Sequence, residues 1–133
     1  MIQKSLLRYH LPPIVWAAVI FIESSIQGEQ IPSTPTGSDK LVHILIFFIF
    51  CWLVSRSLGQ VSSVLINKMK FFLSVVATIM YGFSDEFHQL YVPGRSADIY
   101  DVAADAAGAI LFVLIAKAFF NRSARQQDTI KPL

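Results

Sequence analysis

Four apolar stretches, separated by short polar segments, run along this chain. The first extends from Pro12 to Ile22 and continues to Ile26 past Glu23. The second runs from Leu41 to Val54, where only His43 is strongly polar. The third runs from Phe71 to Phe83, and the fourth from Val102 to Phe120 with Asp105 and Lys117 inside it. None reaches the roughly 20 uninterrupted apolar residues of a standard spanning helix. Each becomes long enough once polar residues at one end are counted within it. Residues 44–54 and 71–80 are apolar all round and lack the polar stripe of a water-facing helix. The pattern predicts an all-α fold: a four-span transmembrane helical bundle, with spans near residues 11–26, 40–56, 70–89 and 99–120, in one domain over residues 1–133.

The segments between the spans read as connections. Gly28 to Ser38 holds Pro32 and Pro35, and Pro93-Gly94 is a turn signal. In Ser55 to Lys70, the residues Val61, Val64 and Leu65 suggest a short interfacial helix, and the polar tail after Asn121 is expected to fray. Lys4 and Arg8 precede the first apolar run, but no small-x-small cleavage pattern is clear. That run is therefore read as an uncleaved first span.

Composition agrees with the pattern. Of the 133 residues 54% are hydrophobic and only 15% charged, with a mean hydropathy of +0.55. Those values exclude disorder and argue against a soluble enzyme, which needs a polar skin. The single cysteine, Cys51, lies in an apolar run. It is expected as a small core or lipid-facing residue rather than a nucleophile. A net charge of +2 gives no reason to expect nucleic acid as a partner.

The distribution of charge says more than its sum. With four spans, nine of the 11 Lys and Arg residues fall on one side, and only Lys40 and Arg95 on the other. The positive-inside rule then puts both termini and the middle loop in the cytoplasm. Eight of the nine acidic residues gather at or near the opposite side, joined by His43 and His88.

Three patches make up that outer face. Ser38, Asp39, Lys40 and His43 open the second helix, with Asp39 and His43 sharing a face at i and i+4. Ser38 or Asp39 serves as an N-cap on this reading; capping does not account for Lys40 or His43. In the second patch, Tyr81, Asp85 and His88 share one helix face, and Glu86 and Gln89 a neighbouring one. In the third, Asp98, Asp101 and Asp105 form an acidic stripe at i, i+3 and i+7 entering the fourth helix. Asp98 can cap that helix and Asp101 complement its dipole. Asp105, two turns in, needs a partner; Arg95 and then Lys40 are the cations that suggest themselves. Ala104 and Gly108 form a small-xxx-small pair that lets helices approach closely.

These three segments resemble the VanZ-like family of small bacterial membrane proteins. Ser38-Asp39-Lys40 with His43 is similar to the family's SDK-x-x-H block. Asp85-Glu86-Phe87-His88-Gln89 is similar to its DE-x-H-Q block, and Pro93-Gly94-Arg95-Ser96 with Asp98 and Asp101 to its PGR-S-x-D-x-x-D block. Phe21 to Gln27 resembles the end of its first helix. One departure is Asp105, where the family usually has Asn. The resemblance covers about residues 12 to 115. It implies a protein of the bacterial cytoplasmic membrane connected with the cell envelope and with resistance to the glycopeptide teicoplanin.

Two functional readings follow. In the first, a polar cleft at the outer leaflet binds a membrane lipid, a lipid-linked cell-wall precursor or a glycopeptide head group. Arg95 takes a phosphate or carboxylate there, with Asp39, Lys40, Gln89, Asp98 and Asp101 as further ligand-binding residues. In the second, the chain is a membrane-embedded enzyme in which His43, His88 and Glu86 are the catalytic candidates and Asp39 or Asp85 tunes a histidine. A divalent metal fits the ligand types in either case, although the spacing matches no known metal signature. A purely structural ion-pair network is the plain alternative to both, and an apolar bundle could do that job. Cofactor and oligomeric state are left open by the residues.

Overall fold

The computed structural model of the chain describes residues 5–30 and 38–129, with helices, short connections and no strand among them. The first helix, α1, spans Leu6–Ser24; it opens with a π-helical turn, Leu6–His10, and is α-helical from Leu11. Pro12 and Pro13 sit near the start of that α-helical part, where a missing backbone N–H costs little. A short 3₁₀ turn, Gly28–Gln30, follows. Three longer helices complete the chain: α2, Ser38–Leu58; α3, Val64–Gln89; and α4, Ile99–Thr129. Four helices are long and apolar enough to cross a membrane, α4 through its portion Ile99–Phe119. The protein is a four-helix transmembrane bundle.

Two connections differ from the sequence expectation. Val64 and Leu65 do not form a separate interfacial helix with Val61; they are the first turn of α3. Ser63 caps that turn, its hydroxyl accepting from the Ile66 N–H at 3.4 Å, and neither Pro nor Gly interrupts the chain from there to Phe71. The tail after Asn121 continues as helix to Thr129, since residues 121–129 likewise contain no Pro or Gly. The expected loop of Gly28 to Ser38 lies largely outside the described residues. Its first residues form the 3₁₀ turn, and Ser38 is already helical.

The helices alternate in direction. At one end of the bundle Arg56 of α2 lies over the rings of Tyr9 and Trp52, and His10 Nδ1 is 2.7 Å from the Ser57 hydroxyl. At the other end the Gly28 N–H donates to the Pro93 carbonyl at 3.1 Å. Gly94 there has φ +73°, and a Cβ on Gly28 would run into the Gly94 carbonyl. This contact between two glycines latches the segment after α1 onto the α3–α4 turn and so holds Arg95 in place.

The centre of the bundle is the parallel pair α2 and α4. Its register matches Ile44 with Gly108 and Phe48 with Phe112, the two rings meeting edge to face at 5.7 Å. A Cβ on Gly108 would collide with the Ile44 carbonyl and lie 3.0 Å from the Phe48 nitrogen. Cys51, Ala109 and Phe112 form one buried cluster here, so Cys51 is a core residue. α3 packs on both α2 and α4, whereas α1 packs on α2 and α3 only, among the described residues. Ile20, Phe47 and Phe50 form the second cluster. Two polar clamps tie α1 down: the Trp16 indole donates to the Ile46 carbonyl at 3.1 Å, and the Tyr81 hydroxyl to the Ala17 carbonyl at 2.6 Å. Large apolar side chains face outward, among them Phe72, Val76, Met80, Phe83 and Phe87 along one stripe of α3. Lipid is the solvent in which that stripe costs nothing.

Gly108→Val should therefore force α2 and α4 apart and cost at least about 1–3 kcal/mol, as overpacking of a tight contact does. Gly59→Ala, whose added methyl would meet its nearest neighbour at 3.4 Å, should be neutral. Melting temperatures of the two variants in detergent check this: equal values would mean the α2–α4 contact is not tight.

Candidate functional site

The α2–α4 register brings the acidic stripe of α4 against the polar first turns of α2. Lys40 meets the start of the stripe. Its ammonium donates to Asp98 Oδ2 at 2.7 Å and to Asp101 Oδ1, and it lies 3.2 Å from Asp39 Oδ2. Asp98 precedes α4 and caps it, Oδ1 accepting from the Tyr100 N–H at 2.8 Å. The Lys40 hydrogen bond, and after it the Tyr100 amide, hold the Asp98 carboxyl below its ordinary value.

One turn deeper, His43 meets the end of the stripe. Its Nδ1 lies 2.9 Å from Asp105 Oδ1 and its Nε2 3.9 Å from Asp101 Oδ1. The partner of Asp105 is thus His43, and neither Arg95 nor Lys40 fills that place. The reason is depth: Lys40 sits a turn nearer the helix end and Arg95 lies in the turn outside it. Asp105 is fully buried against α3, where Gly82 makes room for it; a Cβ at Gly82 would stand 2.5 Å from Asp105 Oδ2.

α3 supplies a second layer. Glu86 is buried; Oε2 accepts the Asp98 N–H at 2.8 Å and Oε1 accepts from Gln89 Nε2 at 3.3 Å. The same Gln89 amide donates to Asp85 Oδ2 at 3.3 Å. Glu86 therefore ties α3 to the start of α4, while Gln89 bridges two carboxylates that would otherwise repel. The shared face of Tyr81, Asp85 and His88 turns toward α1. His88 is set apart from the other polar residues: its Nε2 is 3.0 Å from the Ser25 hydroxyl, and its ring lies 4.5 Å from that of Phe21.

Because α1 avoids α4, a cavity of about 360 Å³ remains between α1, α2 and the end of α3. Its polar lining includes the carboxylates of Glu23, Asp39 and Asp85 together with His43, Gln89 and Arg95, and its apolar lining includes Ile20, Val42, Ile46 and Phe47. Asp85 Oδ1 and Arg95 Nε are buried atoms with no hydrogen-bond partner among the described residues. Arg95 makes no ion pair with any described carboxylate. A larger cavity of about 550 Å³ at the opposite end is lined by six aromatic side chains together with Arg56 and Lys70, and by none of the acidic cluster.

Of the residues expected from sequence, Asp39, Lys40, His43, Glu86, Gln89, Asp98 and Asp101 belong to one connected group, Arg95 shares the cavity wall with three of them, and His88 stands aside. Asp85 and Asp105 belong with the group as firmly as any. The burial of Asp105 was signalled by a carboxylate two turns into an apolar helix, that of Asp85 by its i, i+4 spacing from Tyr81.

An amide at position 105 can accept the same hydrogen bond from the His43 Nδ1–H. Asp105→Asn should therefore change stability by less than about 1 kcal/mol. His43→Leu leaves a buried carboxylate without its partner and should cost roughly 3–5 kcal/mol. Thermal denaturation in detergent measures both; a loss below about 1 kcal/mol for His43→Leu as well would mean that the His43–Asp105 contact does not stabilise the bundle.

Comparison with known families adds one result: residues 10–121 match the family described as VanZ/LLP1. No curated protein and no solved structure matches the chain. The match covers most of the chain, including all three polar segments and the four apolar helices that carry them, and the protein belongs to the VanZ-like family.

Proposed function

We propose that the protein binds the anionic head group of an envelope amphiphile, a lipid-linked cell-wall precursor or related glycopeptide, in the cavity between α1 and α2. Through that binding it takes part in glycopeptide resistance at the bacterial cytoplasmic membrane. The observation that carries this reading is Arg95. Its guanidinium belongs to the cavity wall, has no carboxylate ion pair among the described residues, and keeps a buried Nε donor without an acceptor. A planar guanidinium fork matches phosphate or carboxylate. Asp85 Oδ1, buried and unpartnered in the same cavity, suits a hydroxyl or amine of the same ligand. The apolar wall of Ile20, Val42, Ile46 and Phe47 suits an alkyl chain entering sideways from lipid.

The cavity opens at the acidic end of the bundle, which the positive-inside rule puts on the extracytoplasmic side. Exposed positions at the two ends test that orientation. A cysteine at Glu29 should react with an impermeant thiol reagent on intact cells, and one at Ser62 only after permeabilisation. The reverse pattern moves the cavity to the cytoplasm and removes the proposed ligand.

A second reading is an enzyme acting on the same class of ligand, with His43 as general acid or base. It is favoured by the buried Asp105 at His43 Nδ1, which orients the imidazole. His88, hydrogen-bonded toward α1, has no part in it.

Arg95 separates ligand binding from packing. Without an ion pair to break, Arg95→Ala should shift stability by less than about 1 kcal/mol. Arg95→Lys keeps the charge and loses the bidentate fork. Both variants should abolish the glycopeptide phenotype at normal expression. If the phenotype instead follows melting temperature across the two variants, Arg95 is a structural residue and the binding proposal fails.

A further inference from the structure

Three helices each bring one ligand atom to a common point. His43 on α2, Glu86 on α3 and Asp101 on α4 offer a nitrogen and two carboxylate oxygens, all within 4.8 Å of one another. The residues are far apart in sequence, so the bundle makes this arrangement and no linear motif does. A carboxylate only accepts, so with Asp105 Oδ1 at 2.9 Å the His43 proton belongs on Nδ1. The lone pair is then left on Nε2, the nitrogen on the Asp101 side at 3.9 Å. A buried carboxylate behind the far nitrogen of an imidazole is the support that metal-binding histidines characteristically have.

An independent observation points the same way. Asp85, Glu86 and Asp105 are only 5%, 4% and 0% exposed, in helices that cross the bilayer. Asp85 Oδ1 and Asp105 Oδ2 find no hydrogen-bond donor among the described residues. The nearby ammonium, Lys40, is engaged with Asp39, Asp98 and Asp101, and Arg95 pairs with none of them. Buried carboxylates at this density are costly unless a cation or a proton neutralises them, and a bound divalent ion would do so.

We propose that His43 Nε2, Glu86 and Asp101 bind one divalent cation of the zinc or manganese class, with Asp105 as the outer carboxylate. One imidazole and two carboxylates suit such an ion, whereas magnesium and calcium favour all-oxygen sets. Bonds of about 2.0–2.2 Å in a tetrahedral set put ligands about 3.4 Å apart, so atoms that lie within 4.8 Å of one another close on the ion by side-chain shifts of about an ångström. Three protein ligands leave a coordination position open, and His43 belongs to the cavity wall, so that position adjoins the cavity. Lys40 holds the same Asp101 oxygen and competes with the ion for it. This site goes beyond the head-group reading and does not depend on it.

The test uses the full chain in detergent, stripped with EDTA and titrated calorimetrically with Zn²⁺ and Mn²⁺, with elemental analysis for stoichiometry. One ion per chain is expected. His43→Ala and Glu86→Gln should each weaken binding at least tenfold, and Asp105→Leu about 10–100-fold as an outer-shell loss. Glu29→Gln, in the 3₁₀ turn, should bind as the native chain does. Lys40→Met should bind more tightly, and the ion should raise its melting temperature more than that of the native chain. Structural damage cannot produce that sign, so Lys40→Met decides the matter even if a ligand variant fails to fold. The proposal is overturned by absence of a stoichiometric ion, by native affinity in a His43→Ala/Glu86→Gln double variant, by equal affinity for Mg²⁺, or by weaker binding in Lys40→Met. Arg95 variants and the glycopeptide phenotype test the head-group reading, so the two fail separately.

Discussion

α2 and α4 run parallel and lie so close at Gly108 that a methyl group there would meet the Ile44 carbonyl. Side chains one turn toward the acidic end then have no freedom to choose partners. Lys40 falls beside Asp98 and Asp101, and His43 beside Asp105. In lipid the apolar effect does not drive helices together, so such contacts depend on small residues and on polar pairs that have no alternative partner. Both are present along this seam, Ala104 and Gly108 on one side and the His43–Asp105 bond on the other.

α1 and α3 occupy different positions on that central pair. α3 touches both of its members, and Glu86 fastens it to the first turn of α4 through the Asp98 amide. Among the described residues α1 touches α2 and α3 but not α4, and is held by the Trp16 and Tyr81 hydrogen bonds and by the Gly28–Pro93 latch. The cavity at the acidic end follows from this asymmetry: three helices pack tightly and the fourth stands off. The cavity consequently has an apolar wall from α1 and α2 and a polar end built from the end of α1, from α2 and α3, and from the Arg95 turn.

Polar residues in the site divide by how well they are satisfied. Lys40, Glu86, Gln89, Asp98 and His43 each have partners within the bundle, so packing explains much of their presence. Asp85 Oδ1, Asp105 Oδ2 and Arg95 Nε are buried without one among the described residues. In a protein interior such atoms cost free energy. These three atoms, more than the number of charges, distinguish the acidic end from an interfacial ring of polar residues.

Much of this architecture was legible along the chain. Four apolar stretches determined four spanning helices, because lipid leaves helical hydrogen bonding as the available backbone solution for such segments. The start of α3 and the helical continuation of the tail were not legible in the chain, since polar residues outside an apolar run carry little information about where a helix ends. Helical periodicity also determined local faces: the stripe of Asp98, Asp101 and Asp105, and the turning of Tyr81, Asp85 and His88 to one side. Pairing between helices was not determined in this way. Asp105 needed a partner, and charge alone suggested Arg95 or Lys40; the depth of each residue along its helix selected His43. His88 looked equivalent to His43 in sequence, but the seating of α1 turned it to Ser25 and Phe21. Local sequence sets periodicity and span length. The choice of partner depends on the register and closeness of helices distant in the chain, which only the packed bundle decides.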